Sequence, residues 1–323
     1  MIRSFYHHGA EVPATDLNRD QMRAALADAG GVLWVDMSDA RPKDVEEILT
    51  GVFEFHPLTI SECLQGVRRP KTDDYGSYLF FVIYADDQST PVEDVNTVEL
   101  DVYLGPNFVV THHPLPLPAI DQIVNRATQD ESLMAHGADS LVYEILRTVA
   151  SDYGRTVDFL SAAVAGVEVE VLTAPAGNTL RRMHQLNNDL LRVRRVLVPL
   201  QDVVDRLAAH ELKPIDAGNR PYFRELAARF ARMIETTDTL SESIRSALQT
   251  HLSVVSSQTS RLLRLVAALV TILLPLTALA VLYNTSFSPV SALGLPYADT
   301  AVLGGTLLIA TVLALYIYHR GWQ

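Results

Sequence analysis

The chain is 323 residues long, 48% hydrophobic, with a mean hydropathy of +0.14, which excludes a mainly disordered chain and points towards a membrane. Lys and Arg number 26 against 38 Asp and Glu, a net charge of −12, whereas a nucleic-acid binder carries a basic footprint. One cysteine, Cys63, excludes a disulfide scaffold and a cysteine-rich zinc site, and fits a reducing compartment.

The first 20 residues, MIRSFYHHGAEVPATDLNRD, lack the apolar core of a secretion signal. Up to residue 130 the pattern is mixed. Runs of β-branched and aromatic residues predict strands at 31–36, 77–85, 95–104 and 107–111. Leu104-Gly105-Pro106-Asn107 reads as a turn, so the last two form a hairpin. Helices are expected at 16–29, 42–50, 57–64 and 117–127, with Asp16 as a cap and Pro42 in a first turn. Residues 1–130 are therefore an α/β domain.

From 139 the pattern is helical. An amphipathic helix is expected over 139–172, broken by TAPAG at 173–177, and a second over 178–212. The short connection makes the two antiparallel, within a helical region spanning 131–220. From 222 to 283 there is no glycine, and Pro275 is the one proline. A helix of about 60 residues would be about 90 Å long. It cannot bury its apolar stripe alone, which implies packing against copies of itself.

Charge is absent from 265 to 298 and again from 300 to 318. Segments 265–283 and 300–318 each hold 19 residues, against the ~20 that cross ~30 Å of hydrocarbon. Pro275 is tolerable in a membrane helix, where neighbours satisfy the freed carbonyl. Arg261 and Arg264 precede the first span and Arg320 follows the second, while the loop 284–299 has no Lys or Arg. The positive-inside rule places both termini in the cytoplasm of a bacterial-type inner membrane. The expected layout is 221–283 as a stalk helix running into the first span, 284–299 as an outer loop, 300–318 as the second span and 319–323 as a tail. Enzymatic motifs are missing: there is no phosphate loop, no H-E-x-x-H and no G-x-S-x-G. The pairs His7-His8 and His112-His113 read as surface polarity.

Several segments carry a family resemblance. LWVDM at 33–37, FHPLTISECLQGVRRPKTDDYGSYLFFVIY at 55–84, LGPNFVVTHH at 104–113, LLRVRRVLVPLQDVVDRL at 190–207, PYFRELAARF at 221–230, LLPLTALAVLY at 273–283 and HRGW at 319–322 appear in order. Together they resemble the CorA-type divalent metal ion transporters, including the related zinc-transporting branch. The resemblance implies an α+β cytoplasmic domain, a long helical stalk and two C-terminal transmembrane helices in a funnel-shaped homopentamer. It implies passive flux of divalent cations, Mg²⁺ first, through a central pore. Its partners would be itself, membrane lipids and metal ions, with no nucleic acid and no permanently bound cofactor. Transport of Zn²⁺, Co²⁺ or Ni²⁺, with or without proton coupling, and a non-conducting scaffold or sensor are the alternatives.

Where typical members of the family read Tyr-Gly-Met-Asn-Phe, this chain has Tyr283-Asn284-Thr285-Ser286-Phe287. The outer loop carries one acidic residue, Asp299; the tail carries one charge, Arg320; and Gln249 aligns with a pore aspartate. Five copies of Asn284, Thr285 and Ser286 would ring the pore mouth and accept hydrogen bonds from a hydrated cation, though they also suit a plain turn. Ser260, Leu263, Val270, Leu274, Thr277 and Val281 share one helix face. That face serves either as a packing seam or, as the resemblance implies, as a pore lining with hydrophobic gates. The resemblance also aligns Glu62 and Glu225 with carboxylates that pair across protomers around a regulatory divalent cation; both also suit ordinary surface positions.

Overall fold

A computed structural model of the chain describes residues 1–9, 13–66, 69–86, 97–129, 132–173, 178–209, 212–284, 304, 305, 308, 311 and 312. The chain divides into two compact units, Met1–Ala247 and Leu248–Gln323.

The first unit is built on a seven-stranded sheet. Its strands are β1 (Ile2–His8), β2 (Ala14–Thr15), β3 (Gly31–Ser38), β4 (Lys71–Asp74), β5 (Leu79–Asp86), β6 (Thr97–Leu104) and β7 (Phe108–His113). Their order is β2-β1-β3-β7-β6-β5-β4. Among the described residues only the β3–β7 pairing is parallel; the others are antiparallel. The helices are α1 (Arg19–Ala27), α2 (Pro42–Gly51), α3 (Pro57–Gln65), α4 (Pro118–Gln129), α5 (Ser132–Ala135), α6 (Ala138–Thr173) and α7 (Thr179–Leu207). α8 (Arg220–Asn284) runs for 65 residues.

β3 and β7 are covered on both faces, so nearly every one of their residues is buried, the polar Asp36, Thr111, His112 and His113 included. Leu33, Val35 and Met37 pack with Val45, Ile48 and Leu49 of α2 and with Ile60 and Cys63 of α3 in one core. The alternate residues Trp34 and Asp36 point to the opposite face. There α6 packs across β3, β5, β6 and β7, and Tyr153 donates its hydroxyl to the Tyr84 carbonyl at 2.9 Å. α7 lies against α6, and Arg194 of α7 bonds Asp238 of α8 at 2.6 Å.

Several expected elements sit slightly differently. Two strands in polar sequence, β1 and β4, were not expected from pattern. α1 starts at Arg19 because Asn18 and Gln21 form a reciprocal capping box. Asp16, the expected cap, instead takes a left-handed conformation with φ 57°. The second long helix stops at Leu207 rather than at 212.

Among the described residues, no helix is long and apolar enough to cross a membrane. Most of the expected span 300–318 lies outside them.

Candidate functional site

Two sets of candidate residues and one unforeseen cluster stand out. On α8, Ser260, Leu263, Val270, Leu274, Thr277 and Val281 are all exposed in the single chain. Leu263 is 64% exposed, but so is Leu265 on another face, and Leu262, Val266, Leu269 and Leu273 are open as well. From Leu265 to Tyr283 the sequence of α8 carries no charged residue on any face. Ser260 shares an open groove with Ser253, Ser256, Ser257, Arg261 and Arg264. The Thr277 hydroxyl donates to the Leu274 carbonyl at 2.9 Å, which leaves its oxygen lone pairs free to accept. Of the expected mouth, Asn284 ends α8, while Thr285 and Ser286 lie outside the described residues.

Glu62 lies on α3, where its carboxylate accepts from the Lys71 ammonium at 2.5 Å. The same ammonium donates to Asp73 at 2.7 Å. Glu225 is exposed near the start of α8. Its negative charge helps hold the Tyr143 phenol above its ordinary range, behind the larger effect of burial. Within one chain Glu62 is thus paired with Lys71, and Glu225 stands on a different element.

The third cluster is buried. Cys63 on α3, Asp101 on β6 and His112 on β7 offer a sulfur, a carboxylate oxygen and a ring nitrogen within 4.8 Å of one another. Asp101 and His112 are cross-strand partners, with His112 Nδ1 2.9 Å from Asp101 Oδ2. Tyr103 docks α3 over them. It donates at 3.0 Å to the carbonyl of Thr59, one turn before Cys63, and its ring stacks on Phe55 at 4.3 Å. Burial pushes the Cys63 thiol well above its usual value, and the neighbouring Asp101 adds to this. Burial also raises the Asp101 carboxyl, against the hydrogen bond and charge of His112.

The family model of the CorA-like Mg²⁺ transporter protein matches residues 29–320. The chain belongs to this family. It is 27% identical over 292 residues to YfjQ of Bacillus subtilis (strain 168), covering 90% of this chain and 89% of that one. It is 24% identical over 296 residues to the cobalt/magnesium transport protein CorA of Thermotoga maritima, covering 91% and 84%. Its fold matches the complete structure of the CorA magnesium transporter from Methanocaldococcus jannaschii with a TM-score of 0.76. That match is at 17% identity and covers 98% and 97% of the two chains. The protein is accordingly a divalent metal transporter of the CorA type and not an enzyme.

In this CorA-family transporter the histidine pairs do not fit the surface reading. Adjacent strand residues point to opposite faces, and both faces of β7 are covered, so His112 and His113 are both buried. His7 is buried too, whereas His8 stays exposed beside Asp28 at 2.7 Å. His113 faces a second polar network. Its Nε2 lies 3.3 Å from Asp36 Oδ1, to which the Thr111 hydroxyl donates at 2.6 Å. Arg3 bonds the other oxygen of Asp36 at 2.7 Å and reaches Asp121 at 2.7 Å. Burial alone would raise the Asp36 carboxyl; His113, Thr111 and Arg3 outweigh it and hold it below its ordinary value.

Proposed function

We propose that this transporter conducts divalent cations, Mg²⁺ first, down a central pore in a homopentamer. Two C-terminal segments, 265–283 and 300–318, span a bacterial-type inner membrane, with both termini in the cytoplasm. One observation carries the reading: Leu263, Leu265, Val266, Leu269, Val270, Leu273, Leu274 and Val281 of α8 are all open in a single chain. Water does not tolerate such a surface, so lipid and neighbouring copies must cover it.

The face bearing Ser260, Leu263, Val270, Leu274, Thr277 and Val281 then lines the axis. Rings of Leu263, Val270 and Leu274 close the passage by dewetting, and Thr277 adds a polar ring beside them. Asn284, Thr285 and Ser286 ring the mouth with neutral oxygens. Mg²⁺ dehydrates reluctantly, so such a ring holds its water shell rather than the bare ion. An inside-negative potential favours entry of a dication by about 4.6 kcal/mol per 100 mV, twice the single-charge value. The net charge of −12 adds local attraction for cations. Glu62 and Glu225 regulate: facing carboxylates repel when bare, and a bound divalent cation joins neighbouring protomers in a closed ring.

Purified protein in liposomes, with its oligomeric state measured by native mass spectrometry, tests this. Mg²⁺ should enter under an inside-negative potential, faster than Zn²⁺, Co²⁺ or Ni²⁺ and without a proton gradient. Pentamers that pass no ion would make the protein a scaffold. Uptake unchanged in Asn284→Ala and Ser286→Ala would take the mouth out of selectivity.

A further inference from the structure

We propose that Cys63, Asp101 and His112 form a resident binding site for a borderline-soft divalent cation, Zn²⁺ or Co²⁺, inside the sheet domain and separate from the conduction path. Three elements bring together three different metal-ligating atoms within 4.8 Å. Each residue is at least nine-tenths buried, with Cys63 at 3%, Asp101 at 1% and His112 at 8% exposure.

A second observation points to a missing partner. Asp101 Oδ2 is engaged by His112, while Oδ1 is sealed from solvent with no hydrogen bond of ordinary length, the Cys63 thiol and the Glu99 carboxyl being the other groups near this carboxyl. Leaving a buried acceptor unsatisfied is unfavourable, and more so when it is charged. A cation removes that cost. Around a tetrahedral ion with ligand bonds of about 2.0–2.3 Å, neighbouring donors stand about 3.3–3.6 Å apart. The cluster therefore needs to contract by at most about 1 Å on the Cys63 side, while the Asp101–His112 pair, now 2.9 Å apart, opens slightly.

The donor set decides the class of ion. A thiolate with an imidazole and a carboxylate suits Zn²⁺ and its neighbours. Mg²⁺ takes oxygen ligands in an octahedron and keeps its water. The site is therefore not a resting place for a Mg²⁺ cargo. Glu99 enlarges the acidic surroundings: it lies two residues before Asp101 on β6, and its carboxylate approaches the Gly66 end of α3. A bound ion would clamp α3 to β6 and β7.

The chain has one cysteine, so any thiolate signal reports Cys63. The full-length protein, stripped with chelator in detergent, is titrated with Co²⁺. The expected result is one Co²⁺ per chain with sulfur-to-cobalt charge-transfer absorption, displaced by Zn²⁺ and untouched by a hundredfold excess of Mg²⁺. Zn²⁺ should also slow maleimide labelling of Cys63 more than tenfold. Cys63→Ser should abolish the band, and His112→Gln should raise the Zn²⁺ dissociation constant by about 100-fold or more, since even outer-shell changes cost about 10–100-fold. Asp20→Ala, at an exposed carboxylate of α1, should leave both signals intact. A folded wild-type protein with no charge-transfer band and no protection of Cys63 would overturn the site, as would equal Zn²⁺ affinity in wild type and His112→Gln. Neither signal depends on ion flux, so this test stands apart from that of conduction.

Discussion

Lys71 holds Glu62 by a charge-assisted hydrogen bond of 2.5 Å, and the same ammonium reaches Asp73 at 2.7 Å. A divalent cation arriving at Glu62 must therefore compete with a positive charge already in place. The lysine also lies over the Phe80 ring, 5.4 Å from its centre, which fixes where the ammonium sits.

Removing that competitor should sensitise the regulatory site. Lys71→Met is expected to lower the internal Mg²⁺ concentration that halves flux by about fivefold, the equivalent of about 1 kcal/mol for a partly exposed pair. Folding stability should change by no more than about 1 kcal/mol, because exposed ion pairs contribute little. Glu62→Ala combined with Glu225→Ala should instead leave flux running at high internal Mg²⁺. Inhibition curves from proteoliposomes loaded with graded Mg²⁺ read both outcomes. Superimposable curves for wild type and all variants would remove Glu62 from regulation.

The Asp36 network should set the acid limit of the sheet domain. The Asp36 carboxyl is held below its unfolded value, so its contribution is fully present above the unfolded carboxylate range. It is lost as pH falls through the depressed folded value. Asp36→Asn keeps the shape but leaves Arg3 with Asp121 alone and weakens the buried bonds to Thr111 and His113, and should cost about 1–3 kcal/mol near neutral pH. Denaturant midpoints measured from pH 7 down to pH 3 should fall less steeply in the variant than in wild type. Parallel curves would show that Asp36 is not the group responsible.

Much of the sheet domain was legible because apolar strands alternate with capped or proline-started helices. Pro42 begins α2 and the Gly105 turn joins β6 to β7 as the pattern predicts. β1 was hidden because its buried positions include Ser4 and His7, polar residues where apolar ones are expected. β4, Lys-Thr-Asp-Asp, is an edge strand that has no apolar face to show. The buried trio was missed because residues 63, 101 and 112 meet only through tertiary structure. Two of the three were within reach: once the hairpin pairs Leu104 with Val109, the register opposes Asp101 to His112. Docking of α3 over that pair depends on long-range aromatic contacts that no local pattern encodes.

The hairpin turn is itself a sharp test of packing. A Cβ on Gly105 would come within 2.1 Å of the Phe108 ring, which packs against Phe53 and Phe55. Gly105→Ala should therefore displace a core ring and cost about 1–3 kcal/mol. Gly105→Ala with Phe108→Leu should recover part of that loss, since the smaller side chain vacates the space. Thermal midpoints of the two variants and of Phe108→Leu alone give the coupling. Strictly additive effects would mean that the added methyl group finds room elsewhere.

The gate proposed for α8 makes the most direct functional prediction. Leu274 is 63% exposed in one chain and sits one turn from Thr277, whose hydroxyl is tied to the Leu274 carbonyl. If five leucines close the axis by excluding water, Leu274→Asn should keep that ring wet and raise Mg²⁺ flux at high internal Mg²⁺, where wild type is shut. Thr277→Val should do the reverse. It removes the polar ring at nearly constant volume and should slow flux about fivefold or more, since leaving a polar species without a partner costs about 1–3 kcal/mol. Leu265→Asn, on a different face, controls for general loosening of the helix and should not open the pathway. A Leu265 variant that leaks as strongly as the Leu274 variant would place the wet axis on another face of α8.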